Sequence, residues 1–276
     1  MARKLFCQLC PLTYRISVIK CCAVRRIRDA FSKESFAKTK SPDKLPVIAY
    51  SHQSLIRRTL GDVDPVLQEN KATNLAIAAP KVSGIIINPG ETFSFWKLVG
   101  SCPKRKGYKE GLTISNGRTA AGVGGGMCQF TNLIHWMILH TPLTITEHHH
   151  HDRFDLFPDF GRKVPFGTGT SIMYNYLDYR FKNNTSQPWQ LIVYTDDVYL
   201  HGEIRTTEPL DVKYHIRAED DRFVREADGV YRMGTVRRNV IDKHTGDILS
   251  SEVIRENHAR VMYNTSGLTV ESGCEV

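Results

Sequence analysis

Apolar residues recur every three or four positions near the start of the chain, at Leu12, Ile16, Ile19, Ala23, Ile27, Ala30 and Phe31. Arg15, Lys20, Arg25, Arg26 and Arg28 fall between them, so the spacing predicts a basic amphipathic helix. A second stripe, Val66, Leu67, Leu75, Ala78, Ala79 and Val82, predicts a helix that opens at Asp64-Pro65 and closes at Gly84. Asp64 suits the N-cap and Pro65 the first helical position. A third helix is expected over Leu133 to Leu139, ending near His140-Thr141-Pro142. Ile85-Ile86-Ile87 reads as a short buried strand before the turn Asn88-Pro89-Gly90, and the cluster Phe93, Phe95 and Trp96 reads as core.

Alternation takes over further along. Leu112 to Ser115 and Arg118 to Val123, split at Asn116-Gly117, carry the strongest hairpin signal. Leu143 to Thr146 is expected to be a strand leading into a histidine tract. Ile172, Tyr174 and Tyr176, then Asp178 to Phe181, Trp189 to Tyr194 and Val198 to Ile204, read as an antiparallel meander turning at Asn183-Asn184 and Asp196-Asp197. Val212 to Ile216, Gly229 to Val236 and a hairpin tip at His244 to Asp247 continue the habit. The pattern predicts an α+β protein, a mixed domain with its cysteine-bearing helix packed on an antiparallel sheet and a β-rich C-terminal extension. Three stretches are expected: a basic N-terminal segment and linker over 1–45, a body over 46–206 and the extension over 207–276.

Charge sharpens this picture. Residues 1–40 hold ten Lys and Arg against Asp29 and Glu34, which is the whole formal excess of +8. The other residues carry 27 basic and 27 acidic groups, so the body is balanced. No basic excess remains there to neutralise phosphates, which argues against nucleic acid as a partner. The basic helix has two readings: contact with an anionic membrane surface through residues 1–40, or packing on its own domain. Basic residues interrupt each apolar core before it reaches signal-peptide length, and no run is long enough to span a bilayer. Seven scattered cysteines, four of them before residue 23, do not resemble a secreted disulfide framework. Reduced thiols in a cytoplasmic setting, peripheral to the inner membrane face if the helix docks there, are the expectation.

The candidate chemistry centres on Gly124-Gly125-Gly126-Met127-Cys128-Gln129. A glycine run permits close backbone approach, and a cysteine in the first turn of a helix sits where unpaired N–H groups favour its thiolate. Glu147 to Asp152, with four consecutive histidines, follows as a source of bases or metal ligands. On a helix, Cys128 shares a face with Asn132, His135 and Leu139, whereas Met127, Phe130, Ile134 and Met137 form the apolar one. Close packing of the glycines and a buried structural cysteine is the competing explanation.

Four segments bear a resemblance to a known family. Asn88 to Trp96, Gly107 to Thr113, Gly125 to Gln129 and Phe181 to Thr185 resemble the VanW family, in order and spacing, over about residues 66–205. That resemblance implies a role beside vancomycin B-type resistance genes or in bacterial cell-envelope metabolism, and it brings no assigned reaction. It implies a histidine pair spaced by one residue, placed here at His149 and His151, and an Asp in a Gly-x-Asp-Ala segment. This chain has Gly167-Thr168-Gly169-Thr170 instead, so the job of that Asp is vacant or moved to Asp152 or Asp155.

Two function classes follow. In one, Cys128 is the nucleophile of a hydrolase or acyltransferase on peptidoglycan-like amides, His149 or His151 its base, and Gln129 or nearby N–H groups the oxyanion holder. In the other, the protein is a non-catalytic binding module for a cell-wall precursor, a peptide ligand or a membrane-associated partner. His149 and His151 on one strand face would also suit a metal with Cys128 as third ligand, but no paired ligand motif is present. No cofactor or metal is assigned.

Overall fold

A computed structural model describes residues 5–58, 64–115, 118–150, 153–159 and 164–272. The chain opens with α1 (Pro11–Phe31), the two-residue β1 (Ser35–Phe36) and the longer β2 (Val47–Leu55). Next come α2 (Pro65–Val82), β3 (Ile85–Ile87), β4 (Glu91–Ser94) and the short α3 (Phe95–Val99). The Asp64 carboxylate caps α2 by accepting from the Val66 N–H at 2.9 Å. The hairpin β5 (Glu110–Ser115) and β6 (Arg118–Val123) delivers the glycine run to α4 (Met127–Leu139). Its predicted tip, Asn116-Gly117, lies outside the described residues.

The remaining strands are β7 (Thr144–Glu147), β8 (Phe154–Asp155), β9 (Arg180–Lys182), β10 (Trp189–Thr195) and β11 (Tyr199–Thr206). They are followed by β12 (Val212–Glu226), β13 (Gly229–Asp242), β14 (Ile248–Val261) and β15 (Val270–Ser272). One sheet has the order β1-β4-β9-β7, a second β2-β11-β10-β3, and a C-terminal sheet β15-β12-β13-β14-β8. The second sheet is antiparallel throughout, and α4 packs across its β2 and β11 strands. This is an α+β fold with a strand-rich C-terminal part.

Aromatic side chains from the first two sheets and from α3 and α4 meet in one core. Phe93, Phe95, Phe130, Tyr179, Phe181 and Trp189 are fully buried there. Phe93 stacks on Phe181 at 4.6 Å and Phe95 meets Phe130 edge-on at 5.3 Å, geometries that satisfy the ring quadrupoles. A smaller cluster of Trp136, Leu139, Ile216 and Val236 joins α4 to the C-terminal sheet, and β8 pairs with β14 at that sheet's edge.

One expected strand does not form. Residues 172–177 make a tight turn in which the Met173 N–H donates to the Leu177 carbonyl at 2.9 Å. Asn175 at its tip has φ +57°, which an extended strand does not allow. The Tyr174 and Tyr176 carbonyls are instead taken by Cys22 and Arg25 of α1.

Candidate functional site

The glycine run is fixed by contact with neighbouring chain. A Cβ on Gly125 would lie 2.3 Å from the Gly111 carbonyl carbon, because the base of the hairpin presses backbone to backbone against the run. Gly126, the N-cap of α4, has φ +107° and packs against the Lys71 side chain. Both features belong to close packing, the competing explanation for the motif. They set Cys128 in the first turn of α4.

Cys128 is half-buried as a residue, with its thiol enclosed by protein. Burial pushes the thiol pKa up, and a hydrogen bond from the Ile172 N–H offsets only part of that rise. The position therefore does not favour a thiolate, contrary to what a helix first turn suggests.

A strap of residues 168–172 covers this face of α4. The Asn132 Oδ1 accepts from the Thr170 N–H at 2.7 Å and from the Thr170 hydroxyl at 2.8 Å. The Thr131 and Thr170 hydroxyls meet, and both reach the Cys128 carbonyl. His135 is 1% exposed, its Nδ1 3.1 Å from the Tyr179 hydroxyl, and its Nε2 is buried without a hydrogen-bond partner. Burial, helped by His148 and His150, pushes the His135 pKa well below its usual value, so the ring is neutral. The His148 ring stacks on His135 at 4.2 Å and its Nε2 lies 2.9 Å from the Gly169 carbonyl.

The histidine tract thus brings His148 and His150 to the Cys128 face. His149 turns the other way: its Nε2 lies 2.9 Å from Glu147 Oε1, on a carboxylate that also takes both ends of the Arg25 guanidinium. His151 lies outside the described residues. β7 ends at Glu147, so residues 148–150 lie outside the strand and its alternation does not set the side on which each histidine stands. The Gln129 amide is also committed elsewhere, donating to the Ser54 hydroxyl at 2.9 Å and the Leu55 carbonyl at 2.8 Å. Among the described residues, no three His, Cys, Asp or Glu side chains are grouped to hold a metal ion.

Gly169 occupies the place of the absent Asp. A Cβ there would stand 3.5 Å from His150 Nε2 and 3.9 Å from Asn132 Oδ1, so a carboxylate at this position would face His150. Asp155 does not take over that role. It is buried against the C-terminal sheet, accepting from the Tyr263 hydroxyl at 2.9 Å and from Arg232. Asp152 lies outside the described residues.

A second feature carries no sequence signal. An open groove of about 590 Å³ is lined by Phe36, Ala37, Lys38, Lys40, Lys81, Lys97 and Leu98. Lys40 donates to the Pro80 carbonyl at 2.8 Å, and Lys81 to the Tyr108 hydroxyl at 3.0 Å and the Val99 carbonyl at 3.3 Å. These partners are neutral, so they leave the ammonium charge uncancelled. Lys97 sits over the Phe36 ring and pairs with Asp29 at 3.1 Å, a carboxylate shared with Arg180. The groove is therefore positive and partly apolar, and among the described residues none in its lining is acidic.

A family model described as "VanW like protein" matches residues 70–205, which include the glycine run, α4, the histidine tract and the strap. The chain is 33% identical over 228 residues to the "Vancomycin B-type resistance protein VanW" of Enterococcus faecalis (strain ATCC 700802 / V583), covering 83% of this chain and 82% of that protein. It is 30% identical over 120 residues to the "Uncharacterized protein YoaR" of Bacillus subtilis (strain 168), covering 44% of this chain and 38% of that one. No solved structure matches the chain. With the four sequence segments in order and a relative at this identity matched over more than four fifths of both chains, the chain belongs to the VanW family.

Proposed function

We propose that this protein is an accessory factor in glycopeptide resistance or cell-envelope metabolism, and that it works by binding an anionic cell-wall precursor rather than by thiol chemistry. The relative named for vancomycin B-type resistance supports the setting. The observation that carries the binding reading is the lysine groove, where Lys38, Lys40 and Lys81 gather beside Phe36 and Leu98. Such a lining suits a ligand with phosphate or carboxylate groups and an apolar part. The state of Cys128 supports the same reading, since its thiol is held by a donor and its pKa is raised.

One observation favours a second reading, a Cys128 hydrolase or acyltransferase on peptidoglycan-like amides. His135 lies on the same helix face as the thiol, about two turns along α4, and the His148 ring stacks on it at 4.2 Å. Calorimetric titration with a UDP-linked muramyl pentapeptide separates the two. The binding reading expects saturable binding without product, weakened at least about tenfold in a Lys38→Glu/Lys40→Glu variant, since each reversed charge is worth about 1 kcal/mol or more at the mouth of such a groove. It also expects Cys128→Ser to bind as the wild type does. Turnover of the pentapeptide that stops in Cys128→Ser would establish the enzyme instead.

A further inference from the structure

The helix α1 is attached to the body by the wrong face for a self-contained fold. Its contacts run through Cys22, Arg25 and Asp29, spaced three and four residues apart on one side. Arg25 forms a two-point pair with Glu147 at 2.6 Å and donates to the Tyr176 carbonyl. Asp29 accepts both ends of Arg180 at 2.8 Å. The side chain of Asn175 reaches the Cys22 carbonyl at 3.3 Å. The polar edge is thus the docked one, and no residue of α1 is buried.

The apolar stripe faces solvent as a consequence. Leu12, Ile16, Ile19 and Ile27 are 65%, 46%, 67% and 59% exposed, and Ala23 and Ala30 lie exposed between them. At 100° per residue, Arg15 and Arg26 flank one side of the stripe and Lys20 the other. The helix has a single acidic residue, Asp29, and it is spent on the inner face. An exposed apolar band rimmed only by cations is unstable in water and complementary to one surface chemistry: headgroups of negative charge over hydrocarbon.

We propose that α1 docks the protein on an anionic lipid bilayer, lying in the interface with Leu12, Ile16, Ile19 and Ile27 inserted and Arg15, Lys20 and Arg26 on the headgroups. No described helix is long and apolar enough to cross a membrane, so this contact is peripheral. A second copy of the chain fits the same stripe less well, because pairing two such faces brings their cationic rims together with no carboxylate between them.

Co-sedimentation of the full chain with vesicles tests it. Binding is expected to vesicles of phosphatidylglycerol and phosphatidylcholine, and at least tenfold less to phosphatidylcholine alone. Ile19→Asp/Ile27→Asp, at exposed positions that leave the inner face intact, is expected to lose binding at least tenfold with an unchanged circular dichroism spectrum. Lys20→Glu/Arg26→Glu is expected to lose it on the anionic vesicles. Wild-type protein that stays in the supernatant, or Ile19→Asp/Ile27→Asp that binds as well as wild type, overturns the proposal. So does a wild-type dimer in sedimentation equilibrium that the same double variant turns into a monomer.

Discussion

Gly125→Ala is expected to cost about 3 kcal/mol of folding stability, at the upper end of what overpacking a tight interior site does. The added methyl would lie 2.3 Å from the Gly111 carbonyl carbon and 2.5 Å from its oxygen. Both obstacles are backbone, so no side-chain rotation relieves the overlap, and either the hairpin base or the first turn of α4 must shift. Asn74 ties the two sides together, donating to the Gly125 carbonyl at 2.9 Å and to the Lys109 carbonyl at 3.0 Å, so the shift would also strain these bonds. Gly267→Ala, at a site with nothing within 4 Å, serves as the control and is expected to be near neutral. Urea unfolding midpoints of the two variants against wild type decide the matter. Equal midpoints would mean that the glycine run is not a packing device.

Asp178→Ala should be of comparable size, about 3–5 kcal/mol, because it strands several buried groups at once. Asp178 is 1% exposed. One carboxylate oxygen accepts from the Trp96 N–H at 3.0 Å and the Tyr179 N–H at 2.9 Å. The other accepts from the Ser94 hydroxyl and from Arg180 Nε. Burial alone would lower the Arg180 pKa, but hydrogen bonds from the guanidinium to Asp29 and Asp178 raise it, so the group stays charged whatever happens to one partner. Removing Asp178 leaves a buried cation with Asp29 as its main counter-charge. Burial likewise works against the Asp29 carboxylate, and the bonds from Arg180 and Lys97 hold its pKa below the usual range. The variant is therefore expected to loosen α1 as well, with faster tryptic cleavage after Arg26 and Arg28 than in wild type. A urea midpoint within error of wild type would show that the network is not buried as described.

Much of the fold is legible in the chain, and the failures have physical causes. The α2 helix is readable from Asp64-Pro65 onward because its cap and stripe are local. The hairpin strands and the glycine-to-helix junction are readable for the same reason. Tyr174 and Tyr176 alternate like a strand, yet Asn175 turns left-handed because α1 draws their carbonyls to itself, a contact more than 145 residues away. The side on which each histidine stands is not legible from alternation, because the tract begins where β7 ends at Glu147. Of the expected pair, His149 binds Glu147, and His148 with His150 stands at the Cys128 face instead. The lysine groove had no local signal at all. It joins residues around 36–40 to Lys81 on α2 and Lys97 on α3, and composition reports only that the body is neutral overall. The outward stripe of α1 was readable as a pattern, whereas the choice of its polar face for docking depended on Glu147 and Arg180 far along the chain.

Alkylation of the native chain between pH 6 and 9 asks whether Cys128 is a protonated structural thiol, as its raised pKa implies. Mass spectrometry would follow N-ethylmaleimide addition at Cys128 with the exposed Cys21 as internal reference. Cys21 is expected to be labelled throughout this range, and Cys128 only after unfolding in urea. Rapid labelling of Cys128 at pH 7, slowed by His150→Ala, would contradict that expectation and return a coupled thiolate to the centre of the site.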